Sequence, residues 1–146
     1  MSDPRAYPDR PFLAVSAVVV RDGRILVVRR ARPPAQDRYT LPGGVVEAGE
    51  TLHEAVIREI SEETGIAIEP VALAGHREFI TRDADGRVER HFVILCFAAR
   101  WISGEGEPAL EELSELRWLE PVEITGLKTT EGLAEIVASA FRLMEA

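Results

Sequence analysis

Five glutamates fall between positions 50 and 65 of this chain: Glu50, Glu54, Glu59, Glu62 and Glu63, with Arg58 the one basic residue among them. Glu59 and Glu63 are spaced i,i+4 and Glu59 and Glu62 i,i+3, so on a helix the three carboxylates converge on one side. At 100° per residue, with Leu52 as the origin, Val56 and Ile60 fall at about 40° and 80°, Glu59 and Glu63 at about 340° and 20°. Two carboxylates thus occupy the stripe that a core helix fills with aliphatics. Like charges at this spacing repel, and burying one unpaired carboxylate costs several kcal/mol. A solvated acidic helix leaves that placement unexplained. A divalent cation resolves it, and Mg²⁺ or Mn²⁺ suits all-oxygen ligands. A cation held there would also let an acidic chain hold a small anionic substrate.

The elements around the glutamates follow from local signals. Thr51 and Glu54 form a capping-box pair, and Gly65 stops the helix as a C′ residue. Phe12–Val20 and Ile25–Arg30 are β-branched runs separated by Asp22-Gly23, a hairpin signal. Tyr39–Leu41 is a short strand stopped by Pro42, and Gly43-Gly44 frees the backbone for a close approach. Residues 66–82 and 87–101 read as two long strands turning at Asp83–Gly86, the first broken near Gly75. Residues 116–119 read as a strand. Thr129 or Thr130 is placed to cap a last helix running to Met144. Strands, helix, strands, helix predict an α/β (α+β) class with a mixed β-sheet between helices. Residues 1–11, with three prolines, read as a mobile lead-in, and 12–146 as one domain.

Composition narrows the partners. Among 146 residues, 25 acids face 17 bases, a net charge of −8. Bulk electrostatics then disfavour nucleic acid and anionic membranes, and an anionic substrate needs local arginine or a cation. Cys96 stands alone in an apolar run and reads as a buried thiol, with the cytoplasm as the expected compartment. Phe12–Val20 is too short to span a membrane. Arg21-Asp22-Gly23-Arg24 follows it where a signal peptide needs small residues.

Gly44, Glu50, Arg58, Glu59, Ile60, Glu62, Glu63, Gly65 and Ile66 occupy in order all nine specified positions of G-x5-E-x7-R-E-U-x-E-E-x-G-U, with U a bulky aliphatic. The segment resembles the Nudix box. The resemblance implies a Nudix-type α/β/α sandwich and Mg²⁺- or Mn²⁺-dependent hydrolysis of a nucleoside diphosphate linked to another group. Carried over by position, Glu59, Glu62 and Glu63 become metal ligands, joined by the Gly43 carbonyl, with Glu59 the first choice as base. Glu50 pairs with Arg58 and steadies the loop against the helix. A further carboxylate is implied on a loop beyond the long strands. Glu111, Glu112 and Glu115 are candidates, and Glu112, six residues before Trp118, is favoured. Leu41-Pro42-Gly43-Gly44 is similar to proteins called ADP-ribose pyrophosphatases, which implies ADP-ribose or another nucleotide sugar. That subgroup often carries a proline beyond the box where Thr81 and Arg82 stand here, so a nucleoside triphosphate stays open, as does a non-catalytic nucleotide-binding module. A homodimer is common in that subgroup.

Other residues carry weaker signals. Arg29 and Arg30 end a strand and point to opposite faces, and Arg29 is the candidate for contact with a phosphate or sugar. Arg77 and Phe79, with Arg90 and His91, line a candidate base pocket. His53 and His76 lack ligand spacing, and Trp101 and Trp118 read as packing residues. Thr81–Gly86 is similar to the start of a calcium loop, but Thr81 and Phe92 stand where acids are required.

Overall fold

The computed structural model describes residues 3–145; Met1 and Ser2 of the lead-in and the terminal Ala146 lie outside them. Strands β1 (Phe12–Arg21) and β2 (Arg24–Arg30) meet at Asp22-Gly23, both with positive φ, as a two-residue hairpin turn requires. They pair at Val20–Ile25 beside the turn and then diverge. Strands β3 (Tyr39–Thr40) and β4 (Gly43–Val45) fill the gap, β3 against β2 and β4 against β1. The diglycine is therefore itself a strand, where the sequence marked only a permissive backbone.

The long hairpin consists of β5 (Ala67–Arg82) and β6 (Val88–Ser103). An irregularity between Leu73 and Gly75 shifts the register without ending the strand, which corrects the expected break at Gly75. Strand β6 lies parallel to β1, and the other pairings between these strands are antiparallel, so the sheet is mixed. Strand β7 (Leu113–Leu119) covers the outer edge of β2 and starts three residues before the expected Leu116.

Alternation along β1 divides the core. Val15, Ala17 and Val19 face one side with Ala55, Val56 and Ile60 of helix α1 (Leu52–Thr64). Val18 faces the other with Leu133, Ile136, Val137 and Ala140 of helix α2 (Leu133–Glu145). The result is an α/β/α sandwich. Thr51 and Glu54 exchange both capping-box hydrogen bonds, and Gly65 ends α1 at φ 73°. Neither threonine caps α2. The Thr130 hydroxyl instead donates to Thr40 Oγ1 at 2.9 Å and accepts from Arg77, and the helix starts at Leu133 after Gly132. A 3₁₀ turn, Pro121–Gly126, escaped the sequence reading; it puts Ile124 into the core. No helix among the described residues is long and apolar enough to cross a membrane.

Candidate active site

The acidic face of α1 meets β4 where a side chain would obstruct it. A Cβ on Gly44 would lie 2.3 Å from the Glu59 Cδ, and one on Gly43 2.1 Å from the Val15 carbonyl oxygen. Both glycines are thus required by close approach. Gly43 lets β4 seat on β1, and Gly44 lets the Glu59 carboxylate pack on the strand backbone.

Arg58 organises the cluster. Its Nε and one terminal nitrogen donate to both Glu50 oxygens at 2.6 and 2.8 Å, the bidentate geometry that a guanidinium favours. The same terminal nitrogen donates to the Val45 carbonyl, tying helix to strand. The other donates to Glu59 Oε1 at 2.9 Å and Glu62 Oε2 at 3.1 Å. The guanidinium holds the Glu50 carboxyl down at about 2, while Glu50 in turn raises the Arg58 pKa. Glu59 shifts upward instead, because burial outweighs its Arg58 contact.

Glu63 is the least compensated acid. Its Oε1 accepts from the Gly43 N–H at 3.2 Å, and burial pushes its carboxyl up to about 8. The Glu59 and Glu112 charges raise it further, and Arg30 acts on it only through space. Glu112 is brought there by the loop after β6. Glu107 and Ala109 donate backbone N–H groups to the Thr64 and Glu63 carbonyls, and Ala31 donates to Glu112. Glu50, Arg58, Glu59, Glu62, Glu63, Glu112, Arg30 and Gly43 therefore share one end of the sheet.

The match to known proteins is extensive. The NUDIX domain model covers residues 10–140. The chain belongs to the Nudix hydrolase family. Its relatives include an ADP-ribose pyrophosphatase of Methanocaldococcus jannaschii, 39% identical over 65% of this chain and 54% of that protein. A MutT-like protein of Streptomyces ambofaciens is 37% identical over 100% of this chain and 84% of that one. The crystal structure of a MutT NUDIX hydrolase from Burkholderia pseudomallei superposes with a TM-score of 0.78 at 32% identity, covering 90% of this chain and 98% of that one. The chain spans about half the length of the Methanocaldococcus relative.

Within this Nudix frame, several sequence candidates are engaged elsewhere. Arg29 turns away from the acids, its Nε on the Asp37 carbonyl at 3.3 Å and its guanidinium 3.6 Å from the Asp37 carboxylate. Its neighbour Arg30 faces the acids, with Nε on the Pro34 carbonyl at 2.6 Å. Arg30, and not the candidate Arg29, is thus the guanidinium of the pair on the side of the acids, as strand alternation allows. Arg77 is used structurally: it donates to the Glu131 carbonyl and the Thr130 hydroxyl and so fixes the approach to α2. Phe79 packs on Phe92, which packs on Phe12, ring centres 6.4 and 5.9 Å apart. Glu115 accepts from the Tyr39 hydroxyl at 2.7 Å, away from Glu63, which leaves Glu112 as the nearby loop acid. The Arg90 partner, Asp3, carried no sequence signal, because the two are 87 residues apart and meet only in the folded chain.

The donor set suits a hard divalent cation: carboxylate oxygens only, with Glu63 buried and short of positive charge. Among the described residues no three acids are gathered around one point as a bound ion would gather them. Arg58 draws Glu59 and Glu62 toward itself instead. Glu62 is largely exposed beyond its contact with Arg58.

Proposed function

We propose that this Nudix hydrolase splits the phosphoanhydride bond of a nucleoside diphosphate derivative, ADP-ribose or another nucleotide sugar, with Mg²⁺ or Mn²⁺ held by Glu59, Glu62 and Glu63, the Gly43 carbonyl and Glu112. The observation that carries the reading is the half-buried pair Glu59 and Glu63, packed on Gly43-Gly44 with too little positive charge around it. The ion, when bound, offsets phosphate charge and makes water more acidic.

The chain's own residues supply the rest. Glu59 accepts the proton of the attacking water; its raised pKa brings it closer to neutrality, where a general base works best. Arg58 and Glu50 keep α1 and the preceding loop in register, so that the carboxylates hold position. Arg30 faces the acids and stands ready to receive a phosphate oxygen. Phe12, Phe79 and Phe92 form an aromatic row at the same end of β1 and β6, suited to a base or sugar face.

The Methanocaldococcus relative supports the nucleotide-sugar substrate. A second substrate class, a nucleoside triphosphate split to the monophosphate and pyrophosphate, stays open because Thr81 and Arg82 stand where the nucleotide-sugar subgroup often carries a proline. A hydrolysis screen across nucleoside diphosphate sugars, dinucleoside polyphosphates and triphosphates with Mg²⁺, products identified, decides between them. AMP and ribose 5-phosphate from ADP-ribose are expected; pyrophosphate as the product favours the second class. Binding without turnover of any of them makes the chain a non-catalytic nucleotide module and overturns the reading.

A further inference from the structure

We propose that Arg29 and Arg117, gathered at the Tyr39 ring on the α2 face of the sheet, form a second anion site that takes a phosphate dianion. The site lies apart from the glutamates and stands independently of the hydrolase reading.

Strand register builds it. Arg29 of β2 pairs directly with Tyr39 of β3 on one side and with Glu115 of β7 on the other. Directly paired residues share a face. Arg117 shares it too, because it stands opposite Val27, two residues before Arg29. Val27 packs in the core beneath α2, which fixes the face. Tyr39 leans across β2, and its hydroxyl donates to Glu115 Oε2 at 2.7 Å. Two guanidiniums then share one ring: the Arg29 and Arg117 carbons lie 6.0 and 5.9 Å from its centre, at the reach of cation–π attraction.

These two arginines have donors to spare. Arg58, Arg21 and Arg77 all use terminal nitrogens in hydrogen bonds to oxygen. Arg29 donates through Nε to the Asp37 carbonyl, and its nearest terminal nitrogen stays 3.6 Å from Asp37 Oδ1. Arg117 meets Glu115 through Nε alone, at 3.5 Å, while the other Glu115 oxygen serves Tyr39. Among the described residues, neither guanidinium makes a hydrogen bond through a terminal nitrogen. Their side chains are 38% and 39% exposed, so a ligand reaches them while the sheet screens part of the water.

The local charge selects the ligand. The Tyr39 N–H donates to the carbonyl of Lys128, the chain's one lysine, and Arg38 donates to the Thr129 carbonyl at 3.1 Å. Four cations therefore face two acids, Asp37 and Glu115, in a chain whose net charge is −8. A phosphate monoester or orthophosphate carries close to the two negative charges that balance this excess, and its oxygens suit guanidinium forks. A carboxylate brings half that charge. Two sources supply such a group: free orthophosphate, or a phosphate at the far end of a nucleotide. Tyr39 stands four residues before Gly43, so their Cα atoms are at most about 14 Å apart, within the span of an extended nucleotide.

The test is calorimetric titration of sodium phosphate into metal-free protein, where failure of the hydrolase reading has no effect. One site is expected, weakened at least about tenfold in Arg29→Ala/Arg117→Ala and partly recovered in the double lysine variant. Glu115→Gln keeps an acceptor for Tyr39 and removes a negative charge, so it should tighten binding, a gain that a merely structural role does not produce. Steady-state hydrolysis of ADP-ribose and of ADP-ribose 2′-phosphate separates the sources. If the phosphate belongs to the nucleotide, the ratio of the second KM to the first rises about tenfold in Arg29→Ala/Arg117→Ala. A wild-type ratio together with lost phosphate binding assigns the site to free orthophosphate. Wild-type protein that takes up no phosphate in the millimolar range, or equal uptake in the double alanine variant, would overturn the inference.

Discussion

The two ends of the β1–β2 hairpin both gather charge, in opposite ways. At the turn, Arg21 lies 3.9 Å from the Trp101 ring centre and donates to both oxygens of Glu105 at 3.0 and 3.1 Å. The charges match one for one, Glu105 is exposed, and the guanidinium holds its carboxyl below the ordinary value. A groove of about 450 Å³ opens there, lined by Arg21, Asp22, Arg24, Glu105 and Trp118. At the other end, Glu59, Glu62, Glu63 and Glu112 outnumber the guanidiniums beside them, and burial pushes Glu63 up rather than down. Volume by itself would point to the turn as readily as to the acids. Charge imbalance under burial selects the glutamates, and that imbalance gives a site chemistry, because a satisfied ion pair has nothing left to offer a ligand.

The contrast can be broken most sharply at Glu59. Glu59→Gln should lower kcat by about 10²–10⁴-fold if it is the base, whereas Glu105→Gln should leave kcat/KM unchanged; steady-state kinetics on both variants checks this. Equal losses would remove the distinction between the two ends. Gly44→Ala comes next. Its Cβ would stand 2.3 Å from the Glu59 Cδ, and displacing that carboxylate by an ångström should cost about 10²-fold in kcat without unfolding the protein.

Titration sharpens the comparison further. The folded state holds the Glu63 proton to about pH 8 against an ordinary value of 4.5. Stability from this group is therefore fully present below about 4.5 and is lost as pH rises through about 8. Chelator-treated protein should lose a few kcal/mol across that window, and Glu63→Gln should flatten the dependence, as read by denaturant melts at each pH. Glu105, whose carboxyl is shifted down, has the opposite sign. Its contribution is present above the ordinary carboxylate range and disappears on acidification. The smallest effect is at the helix start, where Thr51→Ala should cost about 1 kcal/mol by removing one arm of the capping box.

Legibility followed the range of the interactions. Thr51, Glu54 and Gly65 act within a turn of themselves, so the ends of α1 could be read from adjacent residues. Asp22-Gly23 is equally local. Placing Glu59 and Glu63 in the apolar stripe needed only the helical period, and both are partly buried beside Gly43-Gly44. Thr130 shows the converse. It has the right residue type for a cap, yet its hydroxyl is taken by Thr40 and Arg77, residues remote in the chain. The lead-in is similar: three prolines read as mobility, and nothing local announces that Asp3 meets Arg90 or Tyr7 meets Asp83.

By itself, the amino-acid order determined the acidic helix, its caps, the diglycine before it and the family to which these belong. All rest on spacings of a few residues, where backbone geometry permits one arrangement. Only the tertiary structure decided that Arg30 rather than Arg29 faces the acids, that Glu115 is taken by Tyr39, and that Arg77 braces α2. Each of those outcomes depends on strand register across the sheet. A shift of one residue turns a side chain to the opposite face, and the packing of distant segments sets that register.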